Sequence, residues 1–217
     1  SILDPLLTID LPANITASTG IDAMVHAIEA FTSVNPNNNP ISKMLSIEAL
    51  KLLGSSIEVA VSDGKNIKAR SNMLLGSMLA GKAFANSPVA AVHALAYPIG
   101  GLFNISHGLS NSLVLPHVLK FNSLNEDTRK NYAYLAPYVF KNLENSKNDE
   151  KVCNHFIDLL ENLSKKLKLP YRLRDLGIPE EACNIMAKEA MKQTRLLVNN
   201  PRKIEESDAF NIYKAAW

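Results

Sequence analysis

"TGIDAMVHAIEAF", residues 19–31, places an aspartate and a histidine four positions apart in a segment whose apolar stripe is Ile21, Met24, Ile28 and Phe31. Side chains at i and i+4 share one helix face, with Cβ atoms roughly 5–6 Å apart. Asp22 and His26 can therefore reach one small ion together. The same helical spacing recurs along the chain, whereas period-2 alternation over strand length is nearly absent, so the expected fold class is all-α.

On the N-terminal side, residues 4–14 read as a loop and the hydroxyls of Thr16–Thr19 as caps, so this helix is expected from Gly20 to Phe31. On the other side, "NPNNNP" at 35–40 breaks the chain, because Pro and Asn favour turns. A second helix carries Met44, Leu45, Ile47, Leu50, Leu53 and Ile57 and ends near Gly64. A third spans 66–86, where Gly76, Ala80, Gly81, Ala83 and Ala85 allow close packing against a neighbour.

"VAAVHALAYPIGG" at 89–101 predicts a buried helix stopped by Pro98 and the glycines 100 and 101, and "ISHGLSNSLVLPHVLKF" at 105–121 begins another. Residues 88–119 are nearly uncharged, and a helix apolar on all sides belongs in a core. Four amphipathic helices follow, over about 127–145, 149–167, 179–193 and 206–216. Residues 1–217 are thus expected to form one helical domain, with no internal repeat.

Of the 217 residues, 47% are hydrophobic, enough for a sizeable core. The 23 basic and 21 acidic residues are dispersed, which gives no footprint for nucleic acid. Cys153 and Cys183 form no CxxC, in keeping with free thiols in a reducing compartment. No run of about 18 apolar residues and no secretory leader occurs, so the expectation is a cytoplasmic protein without a membrane partner. The Asn-x-Ser/Thr triplets at Asn14, Asn104 and Asn162 then read as chance matches. Opening on Ser1 rather than Met, the chain reads as a piece of a longer polypeptide.

Three of the five histidines, His26, His93 and His107, fall in apolar segments, as does Asp22. Buried polar groups need partners, and a shared metal satisfies all four. Three imidazoles and a carboxylate suit a divalent ion of borderline softness, Fe²⁺ or Zn²⁺ first. His93 and His107 are separated by the break "YPIGG", which can bring the end of one helix and the start of the next to a common point. His117 reads as a capping or core residue and His155 as a surface residue. Cys153 and His155, at i and i+2, point to different helix faces and make no nucleophile pair. Ser106 and Ser110 lack the G-x-S-x-G elbow of a serine hydrolase.

"TGIDAMVHAIEAF", "AGKAFANSPVAAVHALAYPIGG", "ISHGLSNSLVLPHVLKFN" and "NNPRKIEESDAFNIYKAAW" together resemble the C-terminal helical domain of the iron-containing (group III) alcohol dehydrogenases, over essentially the whole chain. The resemblance implies a dehydroquinate-synthase-like fold, with Asp22, His26, His93 and His107 as metal ligands. It implies reversible hydride transfer between a primary alcohol and NAD⁺ or NADP⁺, giving an aldehyde. Phe84 is implied in lining the substrate pocket. Tyr97 stands where some family members carry a second His; it can hydrogen-bond substrate or a relay water, but an ordinary pKa near 10 makes it a poor base at neutral pH.

In that family an N-terminal α/β domain holds the dinucleotide on a glycine-rich turn, and the nine glycines here contain no G-x-G-x-x-G. The expectation is that this domain is missing from the chain, is its natural partner, and leaves the isolated piece inactive. Homodimers are common in the family. Three other readings compete. One is a non-redox metal enzyme of the dehydroquinate synthase type, which would need cations that 84–119 lacks. Another is an HD-type phosphohydrolase, but the chain has no His-Asp dipeptide. The last is a non-catalytic helical interaction domain with buried histidines.

Overall fold

The computed structural model describes residues 2–143 and 148–217, and no strand occurs among them. The helices are α1 (Ala13–Thr32), α2 (Pro40–Ser62), α3 (Ile67–Asn86), α4 (Ala91–Phe103), α5 (His107–Asn122), α6 (Glu126–Val139), α7 (Asp149–Lys166), α8 (Ala182–Met191), α9 (Thr194–Leu197) and α10 (Glu206–Ala216). Short 3₁₀ turns lie at Pro5–Thr8, Lys141–Leu143 and Leu173–Leu176. None of the described helices is long and apolar enough to cross a membrane.

Helices α1, α2 and α3 each pack against the other two, as a three-helix bundle. Asn39 starts α2 through a capping box with Ser42, with Pro40 at the first turn, where its missing N–H costs nothing. Asn66 caps α3 by accepting from the Ala69 amide at 3.0 Å. Gly76 lets α3 approach α2, since a β-carbon there would lie 2.8 Å from Leu53 Cγ. Ala80 and Ala83 share that buried face, but Gly81 has nothing within 4 Å and Ala85 is exposed, so the small-residue stripe is narrower than expected.

α1 begins seven residues before the expected start. Thr19 Oγ1 and Ser18 Oγ donate to the Ile15 carbonyl at 2.7 and 3.2 Å instead of capping. The added turns are held by Arg70 of α3. Its Nε donates to Gly64 O at 2.8 Å, Nη1 to Thr16 Oγ1 at 2.6 Å and Nη2 to Leu11 O at 3.1 Å. A side chain far along the sequence thus ties the first turns of α1 to α3.

α4 also departs from expectation, running through Pro98, Gly100 and Gly101 to Phe103. A proline inside a helix costs about 3 kcal/mol. Burying a Leu or Ile side chain contributes roughly 1.5–3 kcal/mol, and both Leu95 and Ile99 are 0% exposed. Burial therefore outweighs the local penalty. The helix stops instead at Asn104, whose φ of 55° and ψ of 35° are left-handed, a conformation Asn tolerates better than most residues. The returning chain passes over Gly100, where a β-carbon would lie 3.2 Å from Ile105 O.

α4 packs on α5 and α8, and the fully buried Tyr213 of α10 donates to Leu95 O of α4 at 2.6 Å. The loop after α9 is tied down by amides. Asn200 and Asn122 exchange bonds of 2.8 and 3.0 Å, while Asn199 Nδ2 donates to Val89 O at 3.0 Å. α6 ends at Val139, short of the expected 145, and a 3₁₀ turn follows. Pro137 sits in its last turn and Val139 packs on Gly54, where a β-carbon would lie 2.6 Å from Val139 O. Residues 144–145 of the expected helix lie outside the described residues. α7 and α10 run as the sequence predicts, and α8 is shorter, the segment 194–197 forming its own turn.

Candidate metal centre

Three helices supply the four side chains. Asp22 and His26 sit one turn apart on α1, His93 lies in the first turn of α4, and His107 is the first residue of α5. His93 is thus at the start of α4, not near its end as the "YPIGG" break suggested, and the reversal that brings His107 back is at residues 104–106. One donor atom from each of Asp22, His26, His93 and His107 lies within 4.8 Å of all the others. His26 Nε2 and His93 Nε2 are 3.0 Å apart, and Asp22 Oδ1 is 3.8 Å from His93 Nε2 and 3.6 Å from His107 Nε2. Donors on a first-row ion sit roughly 2.0–2.2 Å from it, so their mutual spacing is of the order found here.

The donor chemistry fits a cation. Burial, followed by the proximity of His93, lowers the His26 pKa to about 4 against the opposing pull of Asp22 and Glu29. The ring is therefore neutral at pH 7, with one of its nitrogens unprotonated. Asn111, 0% exposed on α5, donates from Nδ2 to Asp22 Oδ1 at 2.6 Å and stands 3.2 Å from His107 Nε2. Acceptors from two helices converge on its one nitrogen, as they would on a cation, while its own buried Oδ1 has no partner.

Behind the donors lies Glu29, 4% exposed on α1. Its carboxylate accepts from the Ala90 amide at 3.0 Å, the Val92 amide at 2.6 Å and His93 Nδ1 at 2.7 Å. These amides are unpaired at a helix start, so α1 caps α4 through one side chain. Neither Glu29 nor Asn111 was singled out from sequence. The available signals were an acid three residues after His26 on its apolar face, and an amide four residues after His107 in a helix whose one charged residue is Lys120.

The centre opens on one side. His93 is buried, whereas the His107 side chain is 45% exposed. Phe84, at the mouth, stacks on His26 with ring centroids 4.6 Å apart, and the Tyr97 ring lies 5.9 Å from that of His107. Both are partly exposed, so Phe84 is a wall of this opening and not a core aromatic. His117 is half-buried elsewhere on α5, and His155 is exposed on α7. Cys153 is buried, its thiol pushed up to about 11 by burial, which leaves it inert.

The first helix and the central pair thus bring together three histidines and one aspartate, a donor set that could hold a metal ion. The Fe-containing alcohol dehydrogenase family, C-terminal, matches residues 16–217, and the chain belongs to that family. It is 39% identical over its whole length to long-chain-alcohol dehydrogenase 1 of Geobacillus thermodenitrificans, covering 54% of that protein. Identity is 36% to the 1,3-propanediol dehydrogenase of Citrobacter freundii, again over all of this chain and 54% of the relative. A solved 1,3-propanediol oxidoreductase superposes with a TM-score of 0.92 at 35% identity, over 99% of this chain and 55% of that one. The chain spans about half the length of the curated relatives it matches.

Proposed function

We propose that this chain is the metal-binding helical half of an NAD(P)-dependent alcohol dehydrogenase, interconverting a primary alcohol and an aldehyde by hydride transfer. The observation that carries the proposal is the convergence of Asp22, His26, His93 and His107 within 4.8 Å at an opening walled by Phe84 and Tyr97. Those four residues would hold Fe²⁺ or Zn²⁺, and an ion there supplies a Lewis acid that lowers the pKa of an alcohol hydroxyl.

The chain's own residues have separable tasks. Buried His93 forms the deep side of the site, half-buried His26 lies between it and Phe84, and His107 faces the opening where substrate enters. Phe84 offers an apolar surface to the carbon chain of the alcohol, which suits the long-chain and propanediol substrates named for the relatives. Tyr97 can donate to, or accept from, the substrate or a water at the mouth. The dinucleotide belongs to an α/β half of the enzyme, and the hydride passes between that half and the opening.

Between positions 84 and 119 no Lys or Arg occurs, which argues against an anionic substrate of the dehydroquinate synthase kind. The test is to load the chain with Fe²⁺ or Zn²⁺, alone and fused to the N-terminal half of a relative, and to follow NAD⁺ and NADP⁺ reduction with primary alcohols. Turnover in the fusion and none in the chain alone is expected. Turnover in the chain alone would contradict the two-half reading, and an inert, metal-loaded fusion would contradict the proposed reaction.

A further inference from the structure

From the contacts of Glu29 we infer that this residue is the positioning residue of the site: it holds His93 in the tautomer that carries its proton on Nδ1, so that Nε2 presents a lone pair to the metal. This rests on the proposed metal site but is separately testable. A carboxylate can only accept, so the 2.7 Å contact between Glu29 and His93 Nδ1 requires the ring to donate there. A neutral imidazole has one N–H, and placing it on Nδ1 bares Nε2, the atom that faces His26 and Asp22. Outer partners of this type fix the orientation of ligand rings and raise their basicity.

Glu29 cannot readily swing away. Its two oxygens also hold the Ala90 and Val92 amides at 3.0 and 2.6 Å, so the group that orients His93 also starts the helix that carries it. Asp22, His26 and Glu29 all belong to α1. One side chain of α1 therefore both caps the start of α4 and fixes the tautomer of the one α4 donor. Were a divalent ion held there, Asp22 would be one of its donors and Glu29 the carboxylate behind His93.

The test combines ¹⁵N NMR of the histidine rings in the metal-free chain at mildly alkaline pH with zinc titration of the wild type, Glu29→Gln and Glu29→Ala. The His93 signals are assigned by their loss in His93→Ala. In the wild type the proton should sit on Nδ1. Glu29→Ala should populate the Nε2–H form and weaken zinc binding roughly 10–100-fold, and Glu29→Gln, which keeps one acceptor oxygen, should fall between. A residue that only caps α4 would leave the tautomer unchanged.

A wild-type His93 protonated on Nε2 overturns the inference, as does a Glu29→Ala variant with wild-type tautomer and affinity. If that variant does not fold, the wild-type spectrum and Glu29→Gln still decide. Failure of the wild type to bind zinc while His93 carries its proton on Nδ1 would count against the metal reading and in favour of the role given to Glu29.

Discussion

Gly108 lies so close to Ser18 that a β-carbon on it would stand 2.5 Å from the Ser18 carbonyl oxygen. The contact joins the first turn of α5 to α1 immediately beside His107. Because the obstacle is backbone, it cannot rotate aside. Gly108→Ala should cost about 1–3 kcal/mol of stability and weaken metal binding by shifting His107. Gly101, in the exposed part of α4, has nothing within 4 Å, so Gly101→Ala should stabilise by roughly 0.5–1 kcal/mol. Thermal denaturation of the two variants checks the contrast, and equal effects would contradict it.

Acid should destabilise the metal-free protein in a defined window. Burial, then Lys120, lowers the His117 pKa from 6.5 to about 4 against the pull of Glu161. Between those values the unfolded chain takes up a proton that the folded chain does not, so stability rises with pH there. It is fully present above about 6.5 and is lost as pH falls toward 4. The loss from His117 should be about 1–3 kcal/mol, and His26 acts in the same direction. Urea unfolding across this range should show a shallower slope in His117→Gln than in the wild type. An unchanged slope would mean His117 is not held neutral.

The Asn122–Asn200 pair should be strongly coupled. Each amide donates to the other, at 3.0 and 2.8 Å, and both are buried. Removing one leaves the other's buried Oδ1 without that donor, at roughly 1–3 kcal/mol, although Asn122 Nδ2 keeps Tyr132 and Asn200 Nδ2 keeps the Arg202 carbonyl, and removing both should cost less than the sum. A double-mutant cycle with Asn122→Ala and Asn200→Ala should return a coupling of about 0.5–3 kcal/mol. Additive losses would indicate that water replaces the missing partner.

These features differ in how far the sequence announces them. Local chemistry places α2, α3, α7 and α10 well, because Asn39, Asn66 and Asn148 cap the first three and a capping box of Glu205 with Asp208 starts the fourth. The start of α1 was not legible, since Arg70 in α3 holds it through Thr16 and Leu11. Nor was the passage of α4 through Pro98, where the burial of Leu95 and Ile99 offsets a local penalty that is visible in sequence alone.

At the site, Asp22 and His26 declare themselves by spacing. His93 and His107 do so only as polar residues in apolar segments, and it is the reversal at Asn104 that brings them together. Glu29 and Asn111 give weaker signals because their partners, Ala90, Val92 and His93 for one and Asp22 for the other, lie more than 60 residues away.

The most direct measurement is anaerobic calorimetric titration of the chain with Fe²⁺ and with Zn²⁺, in the wild type, Asp22→Asn and His93→Ala. One tight site is expected in the wild type and is lost in both variants, because a ligand from α1 and a ligand from α4 would be removed in turn. Binding that persists unchanged in both variants, or no binding to a folded wild type, would contradict a metal centre at Asp22, His26, His93 and His107.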